Sequence, residues 1–201
     1  MTNELLLAAC KAKIKADFHK GKWSSKCRVF YAMYEDVIAN AYPFTSLLNI
    51  GVGPGLASKR WNKTLKEIWP SIEVVTNLEI DPLCAEKARK DKHPLINNVV
   101  EGDVRELESI FESNSFDFIF WNQGPEHIYR EEWADTFRQL ELVASKVVYL
   151  HCPWGSGYDS DVGHLAKSIR KGEFEKFDGY TVQYHGVEDS RDGGIVSWKI
   201  L

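Results

Sequence analysis

Residues Leu47–Trp61 read LLNIGVGPGLASKRW. The apolar run Leu47–Ile50 suits a strand, and glycines follow at every second position: Gly51, Gly53 and Gly55. Beyond them Ala57, Trp61, Leu65 and Ile68 recur at helical spacing. Glycine reaches positive φ and lets a ligand approach the backbone with no side chain in the way. The helix that follows would turn unpaired N–H groups toward that ligand. One glycine would serve a tight turn. Three in alternation imply a ligand lying on the chain where the first strand ends.

The same alternation of strand and helix continues outward. Short apolar runs at Ser46–Ile50, Glu73–Glu79, Asn98–Val100, Phe116–Trp121 and Lys146–His151 read as strands. Between them, Cys84, Ala85 and Ala88 mark one helix, and Tyr129, Trp133, Phe137 and Leu140 another. Asp81 before Pro82 is a helix cap followed by the residue best tolerated in a first turn. The segments YTVQYHGV (180–187) and GIVSWKIL (194–201) both alternate, with the turn-rich EDSRDGG (188–194) joining them. They predict an antiparallel hairpin closing the sheet. Two amphipathic helices, near 4–19 and 28–41, precede all this. Leu7, Cys10, Ile14 and Phe18 share a face of the first; Phe30, Met33, Val37 and Ala41 share one of the second.

The expected architecture is therefore α/β. It is a Rossmann-like, doubly wound, mostly parallel sheet with N-terminal helices and a C-terminal antiparallel hairpin. One domain is expected over residues 1–201, with 1–44 forming a helical lid or cap and 45–201 the core.

Composition narrows the function. The chain has 201 residues and a net charge of −4. Seven cations lie between Lys11 and Arg28 against one anion, Asp17. A solvated helix face explains them, and a basic edge for an acidic partner is the alternative. Subtracting the +5 of residues 1–28 from −4 leaves −9 for the rest, which disfavours nucleic acid. No stretch approaches a membrane span. Cys10, Cys27, Cys84 and Cys152 are scattered with no Cys-x-x-Cys pair, so a zinc site is not expected and a reduced, cytoplasmic setting is. The segment LAAC (7–10) resembles a lipoprotein box, but Glu4 precedes it and Cys10 fits the helical face.

The glycine pattern also sorts ligands. A dinucleotide fingerprint places its third glycine where Leu56 stands, and a P-loop needs a Gly-Lys-Ser/Thr that is absent. From Leu47 to Val187 the chain instead resembles the class I S-adenosylmethionine-dependent methyltransferases. LNIGVGPG is similar to their first motif, and VVTNLEIDP to their second strand with its terminal acid. VVEGDV is similar to the third-strand turn, and FDFIFWNQGPEHI to the fourth strand and its following Glu-His. Gly163-His164 and the later GYTV (179–182) are similar to features after the fifth strand of small-molecule members.

The resemblance implies S-adenosylmethionine as cofactor, held by Gly51, Gly53, Gly55, Glu79, Asp103, Val104 and Asn122. Glu79, ending its strand, would accept both ribose hydroxyl protons. Asp103 would accept from the adenine amine, and the Val104 backbone would reach the ring. Asn49 replaces the usual acid before the first glycine, and an amide there would still bond the cofactor ammonium. Methyl transfer needs alignment and removal of a proton from the acceptor. His127 is the expected general base because imidazole titrates near neutrality, although a Glu-His here also serves to cap a helix. His151 and His164 are the other candidates. Tyr31, Tyr34, Trp154 and His164 are expected around the acceptor. The implied function is methyl transfer to oxygen or nitrogen of a small molecule. An RNA methyltransferase, a nicotinamide oxidoreductase and a non-catalytic cofactor-binding protein are the alternatives.

Overall fold

A computed structural model describes residues 2–19, 24–51, 67–90 and 98–201, with the side chains of 17–19 excepted. Of the expected positions, Phe18, Gly53, Gly55, Ala57, Trp61 and Leu65 therefore lie outside what is described. Two helices open the chain, α1 (Asn3–His19) and α2 (Ser25–Asn40). Five strands follow: β1 (Ser46–Ile50), β2 (Val74–Glu79), β3 (Asn98–Glu101), β4 (Phe116–Asn122) and β5 (Ala144–Pro153). Among the described residues three helices stand between them, α3 (Pro82–Lys90), α4 (Leu107–Ile110) and α5 (Trp133–Val143). The hairpin β6 (Thr181–His185) and β7 (Gly194–Ile200) ends the fold.

The seven strands form one sheet in the order β3-β2-β1-β4-β5-β7-β6. The first five are parallel, and β7 runs antiparallel to both β5 and β6. The expected mostly parallel sheet with a closing hairpin is what forms. Strand order reverses at β1, and open α/β sheets hold ligands outside the carboxyl ends of the strands at such a switch point.

Side chains alternate across the sheet with the period of two that strands impose. Leu47, Phe118, Val147 and Val196 join one apolar layer with Leu6, Cys10 and Ile14 of α1 and Phe30, Met33 and Val37 of α2. Their neighbours Leu48, Ile119, Val148 and Ile195 join the other layer with Trp133, Phe137 and Leu140 of α5. Both faces are covered, as a parallel sheet requires. Three details of the helices differ from expectation. In α1, Leu6 is buried with Cys10 and Ile14, while Leu7 is only half-buried against the same layer. Ala41 is the half-buried C-cap of α2, one residue past the helix. Tyr129 is exposed because a 3-10 turn, Arg130–Glu132, comes between it and α5.

The two ends of the sheet serve different purposes. At the amino ends Asp117 accepts hydrogen bonds from Thr45 N at 2.7 Å and Ser145 Oγ at 2.9 Å, with Lys146 Nζ at 3.4 Å. One carboxylate thus ties the starts of β1, β4 and β5. The carboxyl ends are left for a ligand. Among the described residues no helix is long and apolar enough to cross a membrane.

Candidate functional site

A cleft of about 450 Å³ opens at the carboxyl ends of β1, β2, β3 and β4. That volume falls in the range of cofactor-sized sites. Gly51 ends β1 with φ +75°, and a Cβ added there would meet nothing within 4 Å. The position needs glycine for its backbone conformation, and the space beside it belongs to the cleft. Glu79, at the end of β2, is 6 % exposed and lines the cleft. Its Oε1 accepts from Asp81 N at 3.0 Å. Asp81 instead caps α3, accepting from Leu83 N and Cys84 N at 2.8 and 3.1 Å. The two acids therefore divide as their positions predict, one facing the cleft and one capping.

Asp103 and Val104 follow β3 and also line the cleft. Asp103 does more than turn the chain. It accepts from Arg105 N and Nε at 2.9 and 3.0 Å, and Arg105 reaches on to Glu132 at 2.9 Å. Burial works against its charge, but the Arg105 hydrogen bonds outweigh it and hold the carboxyl below its ordinary range. Ile80 adds an apolar wall, 61 % exposed although it is a large side chain. Sequence reading passed over it because a lone isoleucine in a loop carries no pattern.

The end of β4 divides this cleft from a second cavity of about 270 Å³. Gln123 lines both. It has φ +54°, a backbone region that non-glycine residues occupy only when their surroundings hold them there. Its N–H donates to His151 O at 2.8 Å. The next residue, Gly124, has no room for a side chain, since a Cβ would lie 1.9 Å from Trp121 Nε1.

The second cavity is lined by Lys26 and Phe30 of α2, by His151 and His185 at the ends of β5 and β6, and by Tyr158 and Arg191 from loops. Asn122 lines this cavity rather than the cofactor cleft, because its side chain turns to His151 Nδ1 at 2.9 Å. Gln123 Nε2 also lies 2.9 Å from that nitrogen. Burial, then the Lys26 charge and the neighbouring His185, push His151 well below the ordinary histidine value. Four residues that matter here carry no site signal in sequence: Phe30 reads as a buried helix face, Lys26 as one of a basic run, and His185 and Arg191 as hairpin residues. They come together only when α2, β6 and the hairpin loop fold over the sheet.

His127 stands on the cleft wall, in the short turn Pro125–His127 that follows β4. Its Nδ1 is 3.1 Å from Gly163 O, so Nδ1 carries the hydrogen and Nε2 keeps the lone pair. His164 packs against it at right angles, ring centroids 4.8 Å apart. Burial and then the His127 neighbour lower the His164 pKa. Glu126, 1 % exposed, lies beside both rings. Burial pushes its carboxyl up to about 8.

His164 itself lines neither cavity, and three further expected acceptor contacts and, besides Asn122, one more cofactor contact lie elsewhere. Tyr34 is buried in the core, its ring tilted by 51° against Trp69 with centroids 4.7 Å apart, because it sits on the sheet-facing side of α2. Tyr31, on the flank of α2, meets Lys11 of α1 at 5.2 Å. Trp154 packs on Tyr184 beside β6. None of the three lines either cavity. Asn49 points to the face of the sheet opposite Leu48 and Ile50, and its amide donates to Asn77 at 3.2 Å. Strand alternation thus takes it away from the described cleft lining.

Known proteins agree with this geometry. A family model described as a methyltransferase domain matches residues 48–150. No curated protein matches the chain. Solved structures share the fold at low identity. A SAM-dependent methyltransferase from Archaeoglobus fulgidus is 14 % identical with a TM-score of 0.56, over 86 % of this chain and 94 % of that one. The N-methyltransferase NodS from Bradyrhizobium japonicum WM9 is 11 % identical with a TM-score of 0.57, over 86 % and 94 %. A SAM-dependent methyltransferase from Methanosarcina mazei is 15 % identical with a TM-score of 0.56, over 82 % and 97 %.

Proposed function

The chain belongs to the methyltransferase-domain family, as a class I S-adenosylmethionine-dependent enzyme, and on that premise we propose that it methylates an oxygen or nitrogen of a small molecule held in the second cavity. The observation that carries this reading is Gln123, which lines the cofactor cleft on one side and the second cavity on the other. An acceptor in the smaller cavity would meet the cofactor across that one residue.

The cleft fits the cofactor. Glycine at 51 leaves space at the end of β1, and the Glu79 carboxylate ends β2, where ribose hydroxyls are bonded in open α/β sheets. We assign Gly51, Gly53 and Gly55 to the backbone cradle, Glu79 to the ribose, and Ile80 with the Val104 backbone to the adenine. Asp103 keeps Arg105 in place and has lone pairs left for the adenine amine. S-adenosylmethionine, when bound, supplies a methyl carbon already activated on a sulfonium.

The protein's part is then to position the acceptor and exclude water. Phe30 and Lys26, in the first turns of α2, close one side of the second cavity, which is the lid role proposed for the N-terminal helices. His151 and His185 wall its floor. His127, with Nε2 as its lone-pair nitrogen, is assigned the reacting end of the acceptor.

Transfer of a labelled methyl group from S-adenosylmethionine into extracted cell material tests the acceptor class. Label in the small-molecule fraction is expected, with a loss of about a hundredfold or more in His127→Ala. Label confined to RNA, or no turnover with any fraction, would end this reading.

A further inference from the structure

We propose that Glu126, His127 and His164 form a binding site for a first-row divalent transition-metal ion at the rim of the cofactor cleft. One ligand atom from each of the three lies within 4.8 Å of the other two. Bonds of about 2.0–2.2 Å allow ligands on one ion to stand roughly 4 Å apart at most. Sub-ångström movement of the side chains therefore closes the triangle onto an ion.

The strongest sign is Glu126. It is 1 % exposed, and neither carboxylate oxygen has a hydrogen-bond partner among the described residues. Proteins seldom leave both oxygens of a buried acid unpaired without a reason. Its neighbours in space are two imidazoles, whose lone pairs cannot satisfy a carboxylate but can share a cation with it.

One imidazole is already set as a ligand. His127 Nδ1 is committed to Gly163 O, which leaves Nε2 as the donor atom. Metal-binding histidines characteristically spend their second nitrogen in this way, fixing tautomer and ring orientation. The loop is fixed as well. Glu126 O accepts from Leu165 N at 2.8 Å and Ala166 N at 3.1 Å, which clamps His164 beside Glu126. Trp133 Nε1 donates to Pro125 O at 2.9 Å and steadies the turn carrying Glu126 and His127.

Two imidazoles and one carboxylate suit manganese, iron, cobalt or zinc better than calcium or magnesium. The scattered cysteines that argued against zinc have no bearing on such a set. Three protein ligands leave coordination positions for an outside atom. Since His127 and Gly163 line the cleft, an ion here would act as a Lewis acid toward the acceptor, replacing the base role of the His127 Nε2 that it occupies. That consequence rests on the methyl-transfer reading; the ion site itself does not.

Chelator-stripped protein titrated with Co²⁺ reads the site directly, because a nitrogen- and oxygen-ligated Co²⁺ absorbs in the visible. One equivalent should bind with new visible bands. Glu126→Gln and His164→Ala should each raise the dissociation constant by about a hundredfold or more. His185→Asn should leave it within a few fold, which separates this site from adventitious histidine binding. Glu126→Gln keeps the side-chain shape, and circular dichroism checks that each variant folds. Failure of the wild type to bind Co²⁺, or equal binding by the two ligand variants, would overturn the proposal. Titration of the same samples with S-adenosylhomocysteine tests the cofactor reading separately.

Discussion

Nε2 of His151 lies 3.1 Å from Nε2 of His185, so one of the two nitrogens carries a hydrogen and the other a lone pair. His185 Nδ1 faces Asp192 O at 3.1 Å and must donate, since a carbonyl only accepts. A neutral pair then places the shared hydrogen on His151 Nε2, and its Nδ1 faces the Gln123 and Asn122 amides, both at 2.9 Å, as the acceptor for the Gln123 N–H. The floor of the second cavity is a chain of hydrogen bonds running from the hairpin loop to the residue that divides the two cavities.

Glycine at 194 makes that meeting possible. A Cβ there would lie 2.4 Å from His185 Nε2 and 2.7 Å from His151 Nε2. Gly194→Ala should cost about 1–3 kcal/mol through overpacking, measured by denaturant unfolding. Unchanged stability would mean the rings can part freely and the pair is incidental.

Burial gives the pair a pH signature. His151 is held neutral in the fold, with the Lys26 charge and His185 adding to the effect of burial. Its folded pKa is depressed, so the unfolded chain takes up a proton first as pH falls. Stability should therefore decline as pH drops below the unfolded histidine value of about 6.5, by roughly 1.4 kcal/mol per pH unit for that proton. Comparing His151→Gln with wild type between pH 7 and 5 isolates the contribution. An identical slope in the variant would contradict it.

The opposite end of the sheet should fail at lower pH. Burial opposes the charge of Asp117, yet the Thr45 and Ser145 hydrogen bonds and the Lys146 ammonium hold its pKa below the ordinary value. A depressed carboxylate stabilises above its unfolded pKa of about 3.9, and that contribution is lost as pH falls through the folded value. Asp117→Ala should lower stability at pH 7 by about 1–3 kcal/mol. Parallel melting curves for variant and wild type at neutral pH would show that β1, β4 and β5 do not depend on it.

Asp81 and Glu79 stand two residues apart and should behave differently. Asp81 accepts two backbone N–H bonds at the start of α3. Asp81→Ala should cost about 1 kcal/mol of stability and leave cofactor affinity unchanged. A fall in affinity without a fall in melting temperature would reverse the two assignments.

How much of this was legible in the chain itself follows from range of interaction. The strands were readable because each is a local apolar run, and the parallel order followed from helices alternating with them. Gly51, Glu79 and Asp103 could be placed beside the cleft because each stands at or just past a strand end in a motif of fixed spacing. Tyr34 and Trp154 were misplaced because an aromatic residue looks the same in sequence whether it faces a cavity or the core. Lys26, His185 and Arg191 escaped notice because elements far apart in sequence bring them together. Glu126 was legible only as the acid of the Glu-His pair, since nothing in sequence shows that a carboxyl will be buried without partners among the described residues.

Calorimetric titration with S-adenosylhomocysteine tests the central claim most directly, because the product occupies the cofactor cleft without needing an acceptor. The wild type should bind one equivalent. Glu79→Ala should bind more weakly by about 1–3 kcal/mol, as a charge-assisted hydrogen bond is lost. No binding by the wild type, or binding of a nicotinamide dinucleotide in its place, would contradict the account.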